Sequence, residues 1–225
     1  MMAGMNAEVP SDSTIPRVLR EGSVLAWQHL LTLVWLNVLW VVCAATLVLA
    51  GPATLTAYGY LAALRDDERP LPRQLPGRLR RNLLPGTLWA LTTVAFGFLA
   101  YANLRFWPQV LGQFGLFVVW IFWGYLIWLF AAAQPFLLEA LGVLRLLYLR
   151  AWRAALLDVA RRPVAAHGWV LIPLTLALIG LLFRTPGLVV LVSLLLTYAA
   201  VQVRPVTIPV PPLDPTQLEE GEEVA

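Results

Sequence analysis

Three polar side chains inside apolar stretches are the first residues of this 225-residue chain that could do chemistry. Asn37 and Gln134 lie within apolar runs, and Glu139 lies near the end of one. Such groups are costly to place in a membrane, so they mark candidate ligand or ion sites. The structural alternative for Asn37 is an amide hydrogen bond between helices, worth about 1 kcal/mol or less. Glu139 could instead pair with Arg145 or with an arginine of the basic segment that begins at Arg65.

The Gly51-Pro52 pair is a second candidate site, with Thr54 and Thr56 directly after it. Proline after a glycine is well placed to start a helix. A helix N-terminus exposes free N–H groups and a positive dipole end, so Gly51, Pro52 and Thr54 could receive an anionic ligand. The competing interpretation is a proline kink at which small residues allow helices to pack closely.

Catalytic and metal-binding patterns are missing from the sequence. It has no glycine-rich phosphate loop, no serine elbow and no pair of histidines at metal-ligand spacing, since His29 and His167 are its only histidines. Cys43 is the single cysteine and lies within an apolar run. The carboxylates of residues 66–68 lie among arginines, which favours ion pairing. We therefore expect no enzyme activity, no metal and no cofactor.

The composition is that of an integral membrane protein. Hydrophobic residues make up 60% of the chain and charged residues 13%, and the mean hydropathy is +0.74. A soluble domain has roughly a quarter charged residues, so a soluble enzyme and a disordered chain are both excluded. All sixteen basic residues are arginines, in short clusters between apolar runs. No basic stripe interleaved with aromatic residues is present, so nucleic-acid binding is not expected.

Five apolar runs have about the length that a helix needs to cross a bilayer, which is roughly 20 residues. The sequence thus predicts an all-α polytopic fold, with a polar N-terminal segment 1–23, a helical membrane domain 24–204 and a proline-rich, acidic, disordered tail 205–225. The predicted spans are 24–50, 83–104, 111–138, 164–183 and 186–203. The last two would form a tight hairpin through residues 184–187.

Arginine placement predicts the orientation of these spans. Segments 65–81 and 145–162, together with Arg204, hold twelve of the sixteen arginines. Because basic loops stay on the cytoplasmic side, we expect both segments and the C-terminus inside and the N-terminus outside the plasma (inner) membrane. Arg17 and Arg20 would instead lie inside if residues 24–64 formed a hairpin. Residues 53–64 are too short to span alone, so they are a kinked continuation, a re-entrant half-helix or an interfacial helix.

Residues 145–162 predict a helix on the membrane surface. Arg150, Arg153 and Arg161 fall on one face at helical periodicity. Trp152 falls on the opposite face, in a wedge with Tyr148, Leu156 and Val159. An arginine face opposite an aromatic one suits the headgroups of an anionic leaflet. The alternative is that this segment extends the third long helix out of the membrane.

Several short motifs in order resemble the YesL-like family of bacterial membrane proteins, over about residues 20–204. They are Asn37-Val-Leu-Trp40, Gly51-Pro52-Ala53-Thr54, Ala57-Tyr58, Arg80-Arg81-Asn82 and Arg161-Arg162-Pro163. The resemblance implies a multi-span membrane protein without catalytic residues. Because members are often encoded beside carbohydrate-uptake systems, it also implies an accessory or regulatory part in ABC-type sugar uptake, with the transporter subunits as partners besides the lipid bilayer.

Two other functions follow from the residues themselves. The chain could be a small transporter or channel that uses the Gly51-Pro52 break as its substrate region. It could also be a membrane enzyme, which would require Asn37, Gln134 and Glu139 to converge in one cavity.

Overall fold

The computed structural model describes residues 15–183 and 188–204, and in these ranges every regular element is helical. The predicted all-α fold is confirmed. The helices are α1 (Ile15–Gln28), α2 (Leu30–Ala44), α3 (Ala50–Arg65), a 3₁₀ turn (Pro72–Gln74), α4 (Leu75–Arg81), α5 (Leu83–Gly142), α6 (Tyr148–Arg161), α7 (Pro163–Phe183) and α8 (Leu188–Val203). The predicted tail and most of the N-terminal segment lie outside the described residues, as does the predicted tight turn at 184–187.

The two long arms of α5 are the helices best suited to cross a membrane. Its backbone leaves helical geometry at Gly112, where φ is 66° and ψ is −167°. That left-handed φ is accessible to glycine at little cost, so the apolar run can reverse there. The arms are Leu83–Trp107, with 25 residues, and Gly115–Gly142, with 28 residues. They match the predicted spans 83–104 and 111–138.

The predicted first span 24–50 is divided among three helices. The chain bends by 87° between α1 and α2, at His29. It then turns again after Ala44 before α3 begins at Ala50. Residues 24–50 are therefore not one straight helix, because the apolar composition continues across two places where the backbone changes direction. α1 is amphipathic, with exposed Arg20 opposite buried Val18 and Leu25, and it leads into α2 through this bend.

The number of spans is smaller than predicted among the described residues. The two arms of α5 are long and apolar enough to cross a membrane. α1 and α2 together would make a third span if the bent pair crosses as one. The described apolar parts of α7 and α8, Pro163–Leu176 and Val192–Val203, are shorter than a full crossing. The structure thus has two or three candidate spans, and the count of five is not confirmed.

α3 is the central helix of the packing. Every residue from Gly51 to Tyr58 is buried, and α3 contacts α2, α4, α5 and α8. The start of this helix at Gly51-Pro52 agrees with the prediction. A kinked continuation of the first span does not describe it, because a turn at residues 45–49 separates it from α2.

α6 is a helix of its own and does not extend α5. Residues 143–147 separate the two, and Arg145 in this link has a positive φ of 52°. Arg150, Arg153 and Arg161 are exposed, as predicted for one face. The packed face is rotated slightly from the predicted one. It consists of Ala151, Ala155 and Val159, with Trp152 half-buried against Phe130 and Leu156 exposed.

The contacts of α8 predict that α1 and the basic segments lie on one side of the membrane. Ser23 in α1 and Tyr198 in α8 share a hydrogen bond of 2.8 Å, and Arg65 and Arg162 reach the carbonyls of Ala200 and Val203. α1 therefore lies near the C-terminal end of α8, which the basic segments also contact.

We expect a membrane-impermeant maleimide to label Arg20→Cys and Arg80→Cys from the same side, and Arg105→Cys from the opposite side. The three variants are made with Cys43→Ala to remove the native thiol. Labelling of residues 20 and 105 from the same side would contradict this topology. It would instead support the N-terminus outside the membrane that the arginine distribution predicts.

Candidate functional site

An ionic cluster with a buried centre and exposed members Asp66 and Arg204 joins α3, the second arm of α5 and the end of α8. It consists of Tyr58, Arg65, Asp66, Glu139 and Arg204. The Arg65 side chain is 0% exposed and that of Glu139 3% exposed, although both carry charge. Arg65 donates from Nε and Nη2 to both oxygens of Asp66, at 2.8 and 2.9 Å, in a bidentate pair. Its Nη1 donates to the Ala200 carbonyl at 2.8 Å and lies 3.6 Å from Glu139 Oε2.

Glu139 has three charged or polar neighbours but incomplete hydrogen bonding. The Tyr58 hydroxyl donates to Oε2 at 3.0 Å. Arg204 Nε lies 3.1 Å from Oε1, which makes an ion pair, but Oε1 accepts no hydrogen bond from the described residues. The ion pair therefore compensates the charge of this oxygen without satisfying its hydrogen-bonding capacity. A buried acceptor in this state costs about 1–3 kcal/mol.

The cluster is close to electrically neutral, with two guanidinium groups and two carboxylates. Burial by itself lowers the pKa of Arg65, but the hydrogen bonds to Asp66 and the charge of Glu139 outweigh it and raise that pKa. Arg65 therefore stays charged within the protein. A buried charge is tolerated only when it is paired and hydrogen-bonded, and this arrangement meets that condition for Arg65.

The ends of three helices explain why the cluster forms here. Arg65 is the last residue of α3, Arg204 follows α8 directly, and Glu139 lies three residues before the end of α5. The last carbonyls of a helix have no partner within it and form its negative end. Arg65 satisfies one such carbonyl of α8, that of Ala200. The cluster thus ties the ends of three helices together.

The sequence predicted part of this cluster. Glu139 pairs with an arginine of the first basic segment, namely Arg65, and Arg145 is exposed instead. The contributions of Arg204 and Tyr58 were missed. The position of an arginine directly after the last apolar run was the available signal for Arg204.

The Gly51-Pro52 region is filled by protein. A Cβ on Gly51 would lie 2.0 Å from the Gly86 carbonyl oxygen, and a Cβ on Gly86 would lie 2.4 Å from the Pro52 nitrogen. Two helix backbones therefore touch here without side chains between them. This contact supports the packing interpretation of the glycine and proline.

The threonines that follow also have partners within the chain. Thr54 donates to the Ala50 carbonyl and receives a hydrogen bond of 2.9 Å from Trp40 Nε1. Thr56 donates to the Pro52 carbonyl and receives one of 3.1 Å from Asn82. Both hydroxyls thus stabilise the junction of α2, α3 and α5.

Asn37 forms a bridge between α2 and α8. Its Oδ1 accepts from the Ser193 backbone N–H at 3.0 Å, and its Nδ2 donates to the Leu33 carbonyl at 3.0 Å and to the Ser193 hydroxyl. Every polar atom of this buried amide is used. The geometry agrees with the interhelical hydrogen bond that was one of its two interpretations.

Gln134 has a third and separate set of partners. Its Oε1 accepts from Trp89 Nε1 at 2.9 Å, and its Nε2 donates to the Phe130 carbonyl at 3.1 Å. Within the described part of the chain, Asn37, Gln134 and Glu139 share no partner. The same residues hold no group of three histidine, cysteine or acidic side chains that could bind a metal.

An apolar cavity of about 230 Å³ lies between α2, α3 and the segment 72–79. Cys43 lines it and is 7% exposed. Sequence reasoning missed this cavity because three separate segments form its walls. The lining residues are Trp35, Leu36, Leu39, Trp40, Cys43, Ala53, Thr56, Ala57, Pro72, Leu75, Pro76 and Leu79.

Residues 33–104 match the family model described as "Protein of unknown function, DUF624". The matched segment is less than half of the chain. It covers most of α2, all of α3 and α4 and nearly all of the first arm of α5, and so contains the Gly51 and Gly86 contact but neither Glu139 nor Arg204. No curated protein and no solved structure shows a significant match to the chain.

Proposed function

We propose that this protein is an accessory or regulatory subunit of a bacterial ABC-type carbohydrate-uptake system in the plasma membrane. It has no transport or catalytic activity of its own in this proposal. It contacts the membrane helices of the transporter through the two arms of α5.

The exposed apolar surface of α5 is the observation that carries the proposal. In the most apolar 18-residue window of each arm, only 11% and 17% of the residues are buried by the rest of the chain. Large side chains project from both arms, among them Leu91, Val94, Phe98, Phe117, Trp120 and Phe122. A Cβ added at Gly97 or Gly124 would meet no atom within 4 Å. Small residues on an open helix face let a partner helix approach closely.

The internal partners of the polar residues also support a binding role over transport. Asn37, Thr54 and Gln134 make hydrogen bonds within the chain, and the cavity that the structure describes is apolar. A substrate region at Gly51 would require α3 and α5 to separate first. The carbohydrate part of the proposal depends on the resemblance to the YesL-like family, and the DUF624 match is compatible with it.

Co-purification after cross-linking in intact cells tests this function. We expect the wild-type chain, extracted in mild detergent, to recover the membrane subunit of a carbohydrate ABC transporter. Gly97→Trp with Gly124→Trp should reduce the recovery about tenfold, equivalent to about 1.4 kcal/mol of binding free energy. Gly77→Trp is the matched control, because a Cβ at Gly77 also meets no atom within 4 Å while Gly77 lies in α4.

Two results would contradict the proposal. One is repeated recovery of the wild-type chain without any transporter subunit. The other is sugar flux into liposomes that contain only the purified chain, which would make it a transporter in its own right.

A further inference from the structure

The apolar cavity beside α2 has the size and lining of a site for a hydrocarbon chain. A dry cavity of about 150 Å³ lined by aliphatic and aromatic side chains is known to bind benzene. The cavity here is larger, at about 230 Å³, and its walls are mostly apolar. The Thr56 hydroxyl is already bonded to the Pro52 carbonyl and to Asn82, and the Trp40 N–H to Thr54. The walls therefore favour a hydrocarbon ligand over a hydrophilic one.

Arginines stand next in sequence to the cavity-lining residues of the segment 72–79. Leu75 and Leu79 of α4 lie four residues apart and form one wall. Arg78 and Arg80, the neighbours of Leu79, point about 100° to either side of it. Arg73 follows the lining residue Pro72. Arg78 donates to the Gly59 carbonyl and to Gln74, so its side chain is held against α3.

Three further arginines of this segment are free to bind an anion. Arg73, Arg80 and Arg81 are exposed, and among the described residues they form no hydrogen bond or ion pair. The nearby Asp66 is engaged by Arg65. Positive charge beside an apolar cavity complements a ligand with an anionic head and an apolar tail.

We propose that this cavity binds one acyl chain of an anionic phospholipid, whose phosphate is held by Arg73 and Arg80, the exposed neighbours of Pro72 and Leu79 in the cavity wall. The apolar walls receive the chain, and the exposed arginines neutralise the headgroup. The cytoplasmic leaflet is rich in anionic lipid, and each basic residue near it contributes about 1 kcal/mol of attraction. The site does not depend on the function proposed above, since it needs no protein partner.

Cys43 reports whether the cavity is occupied. Its thiol lines the cavity and is the only thiol in the chain. In the purified full-length protein, added phosphatidylglycerol should slow the reaction of Cys43 with a bilayer-soluble maleimide at least about fivefold, equivalent to about 1 kcal/mol. Phosphatidylcholine and inorganic phosphate should each slow it less than twofold.

Native mass spectrometry of the same protein tests the headgroup contact. We expect one phosphatidylglycerol per chain, with retention reduced about tenfold by Arg73→Ala with Arg80→Ala, equivalent to about 1.4 kcal/mol. Arg150→Ala with Arg153→Ala is the matched control, because these α6 arginines are also exposed but do not border the cavity. It should leave retention unchanged.

The following results would overturn the proposal. Equal protection of Cys43 by phosphatidylcholine would show that the site does not require an anionic headgroup. Protection by phosphate alone would show that it does not require an acyl chain. Equal loss of lipid in both arginine pairs would show general attraction to the basic end of the protein. Unchanged Cys43 reactivity with every lipid would show that the cavity binds no acyl chain, and a partner helix would then be the alternative occupant.

Discussion

Gly51→Ala is expected to lower the free energy of unfolding by about 3 kcal/mol, the upper part of the usual range for overpacking. The new Cβ would lie 2.0 Å from the Gly86 carbonyl oxygen, 2.7 Å from its carbon and 2.8 Å from Ala90 Cβ. None of these atoms can rotate away, so α3 and α5 must move apart. That movement would also strain the Trp40 and Asn82 hydrogen bonds to the threonines of α3.

The sign of the stability change in Gly51→Ala distinguishes the effect of close packing from that of helix propensity. Alanine is a better helix former than glycine by about 1 kcal/mol, so propensity alone predicts stabilisation. Gly97→Ala is the matched control, because a Cβ there meets no atom within 4 Å, and it should leave the melting temperature equal or slightly raised. The measurement is thermal unfolding in mild detergent, followed by tryptophan fluorescence. A melting temperature for Gly51→Ala at or above that of the wild type would show that the close contact does not exist.

Arg65→Leu is expected to cost about 3–5 kcal/mol, as breaking a buried ion pair does. The substitution removes the side-chain donor of the Ala200 carbonyl, which keeps only the Arg204 N–H at 3.3 Å, and leaves Glu139 with only Arg204 and Tyr58. Arg150→Leu, at an exposed position of α6, should change stability by less than about 0.5 kcal/mol. Both are measured as thermal unfolding in mild detergent.

A double-mutant cycle isolates the coupling between Arg65 and Glu139. Arg65→Leu with Glu139→Leu should be less destabilised than the sum of the two single variants, because the second change removes the charge that the first leaves poorly compensated. Their contact lies in the protein interior, so the coupling should change little between low and high salt. Additive effects, or an Arg65→Leu variant as stable as Arg150→Leu, would contradict the role of this cluster.

Long apolar runs were the most reliable signal in the sequence. The arms of α5 agree with the predicted spans within a few residues at most ends, because their length and composition leave few alternatives to a membrane helix. The stretch 24–50 is equally apolar, yet it bends at His29 and turns at residues 45–49. Hydropathy measures the solvent a segment prefers and not the direction of its backbone, so hydropathy alone could not predict these bends.

Local rules predicted the candidate site in part. The cost of burying a carboxylate required Glu139 to have a cationic partner, and the first basic segment provides one in Arg65. Arg204 lies 65 residues after Glu139, and Tyr58 lies far before it in the sequence. The three segments that form the cavity walls are also separate in the sequence. Contacts of this kind depend on how helices cross, which single-helix periodicity does not contain.

The amino-acid sequence by itself determined the membrane-protein character, the helical class, the long arms of α5 and the clustering of arginine outside the apolar runs. These follow from composition and periodicity, which act within one segment at a time. Only the tertiary structure decided that Gly51 serves a backbone contact, that Asn37 joins α2 to α8, and that three helix ends share one ionic cluster. The physical reason is that close packing and the pairing of buried charges depend on distances between remote segments, and those distances exist only once the helices have assembled.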